Sequence, residues 1–418
     1  EDHLLGRTVP MHEHIHPALI FDEDFMNSLV GDREYLHATP ELSTQEFRTA
    51  EFIEDRLHQL GLDTTRVGST GIVGVLRNAD GPVVAYRADT DGLPVEERTG
   101  LPFASRAKGT IDGAEVPIMH ACGHDVHMAV ALGAARRLTE TVDYWRGTVV
   151  FVFQPAEEIA AGAKEMVEAG LWDVAPRPEI VLGMHVMPYE AGAVFLPVGA
   201  AMTMADSWRI TVFGKGAHGS QPEESIDPIV IASAMVLRLQ TIVSREISPR
   251  DTAVVTVGTF HAGLKENIIP EKAEFSVNVR TLSSEVRTRV LAAIRRIIAA
   301  EAAAAGASEP RIEVISELPE CFNRPNEARR TIGDMRAALG IEHVHECPPH
   351  MASEDFGYLA SAIGVPSLYW FLGGAPLAAL DDPEPVPVNH SPRFAPLSRP
   401  TLETGVKAAL AAMLARLS

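Results

Sequence analysis

The chain has 418 residues, 46% hydrophobic and 22% charged, enough apolar surface for a sizeable core, and this excludes wholesale disorder. Lys and Arg number 36 against 56 Asp and Glu, a formal net charge of −20 whose field repels a phosphate backbone, so no nucleic-acid partner is expected. No stretch approaches about 18 uninterrupted apolar residues, so no membrane-spanning helix is expected either.

Three cysteines, Cys122, Cys321 and Cys347, are too sparse and uneven for a disulfide framework and point to a reducing, cytoplasmic setting. The opening EDHLLGRTVP lacks the basic-then-apolar pattern of a signal peptide, so none is expected.

Residues 41–61 read as a helix. Ser43 and Glu46 have capping-box spacing, Phe47, Ala50, Ile53, Leu57 and Leu60 recur at helical period, and Gly61 follows as a stop. Short apolar runs at 72–76, 83–88, 148–153 and 180–186 read as buried strands, with a helical segment at 125–138 between two of them. Buried strands alternating with helices predict the α/β class, a doubly wound, mostly parallel sheet.

The texture changes from about 200 to 315. Strands at 207–214, 252–260, 272–281 and 310–316 enclose helices at 227–244, with Asp227 and Pro228 as its start signals, and 283–306. The order β-α-β-β-α-β is that of a ferredoxin-like unit. A helix near 326–339 and an apolar run at 365–373 then return to the first sheet. The reading is a catalytic domain of 1–199 and 316–418, interrupted by a lid domain of 200–315.

Chemistry-bearing residues concentrate in RADTDG (87–92), MHACGHDVH (119–127), QPAEE (154–158), GMHV (183–186) and VNHSPRF (388–394). Strand ends of an open parallel sheet form a ligand crevice, so such segments can converge although they are distant in sequence. Cys122 and His124 offer a thiolate and an imidazole around a glycine, a set suited to zinc and similar metals. Alone, such a pair is more often structural. Glu157 and Glu158, past a strand end, can divide into a metal ligand and a carboxylate facing water, or be a solvated pair. His185 alone reads as a core histidine, and His390 alone as a surface one. Together the five metal-type residues favour a site, and two ions fit their number better than one.

His12-Glu13-His14-Ile15-His16 satisfies the zinc-protease pattern H-E-x-x-H, but that pattern works only on a helix, and Pro17 biases His16 away from helical angles. A mobile or locally packed segment is the better reading. In the inserted unit, His218 sits among glycines after a strand, and Asn267 and Arg280 are polar candidates to meet a substrate from above; each has an equally good structural reading.

Taken in order, RADTDGLP, MHACGHDVHMA, VFQPAEE, GMHV, KGAHGS, ASEDFGYL and NHSPRF resemble the amidohydrolase branch of the co-catalytic metallopeptidases, which holds hippurate hydrolases, aminoacylases and indole-acetyl-amino-acid hydrolases. The resemblance covers about 30–415. It implies Cys122, His124, Glu158, His185 and His390 as ligands of two divalent ions, with Cys122 bridging and the metal zinc, manganese, nickel or cobalt. It implies Glu157 as general acid/base and Asp91 as the carboxylate that orients the site. His218, Asn267 and Arg280 would meet the substrate's amide oxygen or carboxylate from the lid.

The expected activity is cleavage of an N-acyl amino acid by metal-activated water. A metallo-carboxypeptidase or dipeptidase is the alternative, and a silent ligand-binding protein a more distant one. The expected partner is the small-molecule substrate, with a homodimer possible.

Overall fold

The structure is a computed structural model and describes residues 15–380 and 385–417. His12, Glu13, His14 and the first half of the acidic Pro-rich loop lie outside the described residues.

Four strands run parallel at the centre of a ten-stranded sheet, in the order Gly147–Gln154, Val83–Asp89, Ile180–Glu190 and Ser367–Ala375. Antiparallel strands Gly71–Asn78 and Asp63–Val67 extend one edge. Cys321–Asn323 and Gly199–Met202 extend the other. Successive side chains of a strand point to opposite faces, so each central strand serves two cores. Tyr86, Phe151, Leu182 and Trp370 pack into one, beneath helices that include His124–Glu140 and Ser398–Leu414. Ala85, Val150, Val181 and Tyr369 pack into the other, with the short helices Gly162–Glu168 and Gly357–Ser361. Burial on both faces is why these strands read as continuous apolar runs.

The smaller sheet is antiparallel throughout, in the order Ala253–Ala262, Lys272–Thr281, Met204–Phe213 and Arg311–Leu318. Helices Pro228–Thr241 and Ser284–Ala304 cover one of its faces and enclose a separate apolar core. Connectivity and strand order are those of a ferredoxin-like unit. Asp227 caps its helix as predicted, its Oδ1 accepting from Ile229 N at 2.9 Å. By length and composition Pro228–Glu246 could cross a bilayer, contrary to the apolar-run expectation. Here its Ile231, Ala232, Met235 and Leu239 are buried against the small sheet.

Two local expectations are corrected. The helix read at 41–61 is Phe47–Gln59, without a side-chain cap. Ser43 Oγ instead donates to Asp91 Oδ2 at 2.7 Å, and Glu46 accepts from Thr70 Oγ1 at 2.6 Å and Ala156 N at 2.9 Å. Buried loop groups at the strand ends compete for these residues more strongly than a solvated helix start. The strand carrying His185 also runs on to Glu190, so His185 lies within it.

Candidate metal centre and active site

The carboxyl ends of the central strands bring the predicted segments together. Gly123 separates Cys122 from His124 with φ +83°, and a Cβ there would lie 2.3 Å from Val186 Cγ1, so only glycine permits this turn. His124 then opens its helix with its ring facing the strand ends. Ligand-type atoms of Cys122, His124 and His185 lie within 4.8 Å of one another. So do those of Cys122, Glu158 and His390, and those of His124, Glu157 and Glu158. Cys122, His124 and Glu158 each belong to two of these groups, which joins them into one cluster.

The hydrogen bonds define which atoms are free. His124 Nδ1 lies 2.8 Å from the Asp91 carbonyl oxygen, so it carries a proton and Nε2 is the nitrogen left to face the pocket. His185 Nδ1 likewise donates to Val186 O at 2.9 Å, leaving Nε2 bare and 3.4 Å from Cys122 Sγ. Asp91 Oδ2 accepts from Ser43 Oγ and from Glu158 N at 3.0 Å, holding the Glu158 loop against His124. His390, at φ +70°, is fastened by its N–H to Ala121 O at 2.8 Å, and its Nε2 lies 3.4 Å from Glu158 Oε2.

His124 Nε2 and Glu158 Oε1 are buried, face each other at 3.8 Å, and have no hydrogen-bond partner. With a neutral His124 ring these two atoms are both acceptors, and burying them against each other is costly; the surplus negative charge around them calls for a cation there, a proton on Nε2 or a metal ion. A cation between them resolves both. The thiolate, imidazole and carboxylate donors suit zinc and its neighbours, so the residues fit a metal pair.

His127 lies one helical turn from His124, yet its ring is spent. Nδ1 bonds Asp89 Oδ1 and Nε2 accepts from Val186 N at 2.8 Å. Beneath it, buried Arg87 donates to Gln154 Oε1, Asp89 Oδ2 and Glu354 Oε1, each at 2.8 Å, and to Asp355 Oδ1 at 3.2 Å. Sequence reasoning passed over Arg87, Asp89, His127, Glu354, Asp355 and Asn389. Each stands inside a segment already singled out, and an arginine within an apolar strand was the available signal.

Three shifts share one sign. Burial opposes a charge on His124, but Asp89, Asp91 and Glu158 outweigh it and push its pKa up to about 10. Burial, then Glu158, Glu157 and Asp89, push the Cys122 thiol well up. Burial, then Glu354, Glu158, Asp355 and Asp89, raise Glu157. The pocket holds surplus negative charge and favours a cation.

The lid candidates are elsewhere. His218 and Asn267 are exposed neighbours, joined where Ala217–His218 pairs with Ile268–Ile269 and Gly219 N donates to Asn267 O at 2.8 Å. His218 Nδ1 is 2.7 Å from Ser220 Oγ. Arg280 Nη1 donates to Ser353 Oγ at 3.0 Å and Met351 O at 3.2 Å. Among the described residues, no hydrogen bond or ion pair joins any of the three to the metal-type cluster.

The chain is 38% identical over 350 residues to an N-acetyl-L-cysteine deacetylase of Bacillus subtilis, covering 82% of this chain and 80% of the relative. It is 36% identical over 352 residues to thermostable carboxypeptidase 2 of Saccharolobus solfataricus, covering 82% and 85%. A solved structure of a Bacillus subtilis dinuclear metal-binding peptidase of the M20 family superposes with a TM-score of 0.77 at 31% identity, covering 94% of this chain and 100% of the other. The profile of peptidase family M20/M25/M40 matches residues 85–413, a span that takes in every strand-end residue described above and the loop bearing His390, and the chain belongs to that family.

Proposed function

We propose that this chain is a metal-dependent amidohydrolase that cleaves the amide bond of N-acyl amino acids. The observation that carries the reading is the facing pair of buried atoms without hydrogen-bond partners, His124 Nε2 and Glu158 Oε1, in a cluster where Cys122, His124 and Glu158 each join two ligand groups. Cys122, His124, Glu158, His185 and His390 would hold two divalent ions, zinc first and manganese, nickel or cobalt as alternatives. When bound, such ions acidify a water and polarise a carbonyl oxygen.

The chain's own residues do the rest. Glu157, within 4.8 Å of His124 and Glu158, takes the proton of the attacking water and returns it to the leaving amine. Its raised proton affinity suits a group that must hold a proton in mid-reaction. Asp91 fixes the His124 ring and the Glu158 loop. Arg280 offers a guanidinium fork to the substrate's carboxylate, while His218 and Asn267 meet its amide end once the lid is placed over the site.

The exposed apolar side chains of Phe260, on the edge strand Ala253–Ala262 of the small sheet, and of Leu264 and Ile268 just beyond it support a homodimer through that edge. With Cys122 given to the metal pair, the free Cys321 and Cys347 support a reducing, cytoplasmic setting.

A carboxypeptidase reading, with the dipeptidase as its variant, is favoured by the names of two Saccharolobus solfataricus relatives, thermostable carboxypeptidases 1 and 2. Metal analysis combined with hydrolysis of matched N-acetyl amino acids and dipeptides tests both. The proposal expects the N-acyl series to turn over faster and chelation to abolish activity. Full activity after chelation overturns the metal mechanism, and faster dipeptide cleavage overturns the substrate class.

A further inference from the structure

We propose that Asn389 is a positioning residue for the Cys122 thiolate, and through it for the metal pair; this rests on the reading that Cys122 is a ligand. Asn389 Nδ2 lies 3.1 Å from Val186 O, 3.3 Å from Cys122 O and 3.8 Å from Cys122 Sγ. All three are acceptors, so the amide must present its NH2 group, because the flipped rotamer would set an oxygen against each of them. Of the two amide protons, one serves Val186 O and the other is shared between the oxygen and sulfur of Cys122.

Val186 O is also the acceptor that fixes the His185 tautomer. The residue after Asn389 is His390, docked on Ala121 O. One half-buried side chain therefore ties together three ligand-bearing segments, 121–122, 185–186 and 389–390. The His185 nitrogen facing the sulfur is bare and cannot donate. Among the described residues, Asn389 is then the donor left to the thiolate. An N–H···S bond draws charge from the sulfur lone pair and fixes its direction, the tuning that outer partners give a metal ligand.

The test uses the metal-free full chain titrated with cobalt(II) alone, read by the thiolate-to-cobalt charge-transfer band and by the binding constant. Asn389→Asp keeps the shape and loses both N–H donors; Asn389→Ala removes the side chain and serves as the second variant. Both are expected to shift the band to lower energy and to weaken cobalt binding by about 10–100-fold. In a Cys122→Ser background the same Asn389→Ala change is expected to cost a clearly smaller factor, since the coupling runs through sulfur. A band that does not move, with affinity unchanged in both variants, overturns the proposal while leaving Cys122 a ligand. An equal loss in the Cys122→Ser background also overturns it. Absence of any thiolate band in the unaltered protein overturns the Cys122 assignment and this proposal together.

Discussion

The carboxyl edge of the large sheet and the far end of the small one carry polar residues in opposite physical states. At the sheet edge, Asp91, His124 and His185 are buried, and each is held by hydrogen bonds that choose its tautomer or orientation. At the far end of the small sheet, where Ala217–His218 pairs with Ile268–Ile269, His218 and Asn267 are exposed and held by local contacts only. The difference follows from desolvation. A charged or polar group can be buried only with partners, so a buried site arrives assembled, whereas an exposed group is free to wait for its ligand. The strand-end residues should therefore govern bond cleavage and metal retention, and the lid residues substrate capture.

The largest effect that could break this division is at Glu157. Glu157→Gln should lower kcat by roughly 10²–10⁴-fold with metal content unchanged by metal analysis. Near-full turnover would remove Glu157 from the mechanism. Asp91→Asn comes next: it weakens the brace on Glu158 and should reduce metal affinity by about 10–100-fold in a chelator competition. His127→Gln should leave the metal-to-protein ratio unchanged, because the His127 ring is already spent on Asp89 and Val186. Loss of metal in that variant would mean the two histidines were told apart wrongly. On the lid side, Arg280→Ala should raise KM for N-acyl amino acids by about tenfold, the lower end expected for a charged hydrogen bond, and spare kcat. Matching amides without the carboxylate should be unaffected. Equal losses on both would return Arg280 to a structural role on Ser353 and Met351.

The same division explains what the sequence could disclose. The apolar run 148–153 and the alternating segment 272–281 correspond closely to observed strands because period and burial are local properties. Cys122, His124 and Glu158 stand out because their residue types are rare in such company. His127 and His124, by contrast, are indistinguishable as letters. Only Val186 N and Asp89, far away in the chain, separate a spent ring from an open one. Ser43 and Glu46 read as a helix cap because their spacing is right for one, while their actual partners, Asp91, Thr70 and Ala156, lie on distant loops. Asn389 carried no signal beyond its neighbour His390, since its acceptors belong to two other segments.

A buried ring with both nitrogens paired should mark structure alone, and His37 tests this with the smallest expected effect on turnover. Its Nδ1 lies 3.0 Å from Asp125 Oδ2 and its Nε2 3.0 Å from Glu97 Oε1, with Arg33 Nε on the same Asp125 oxygen at 3.0 Å. Burial opposes a charge on this ring, but Asp125 and Glu97 outweigh it and push the pKa from 6.5 to about 9. Each ring nitrogen faces a carboxylate, so only the protonated ring donates to both. The folded value lies above the unfolded one, so the stabilisation is complete below about pH 6.5 and is lost as pH rises through about 9. The denaturant midpoint should therefore fall across that window. His37→Gln should start lower at pH 6 and lose that part of the slope, with kcat per folded, metal-loaded molecule unchanged. A variant that kept the whole slope would show that other groups set it. One that kept its stability but lost kcat would show that this paired buried ring reaches the chemistry after all.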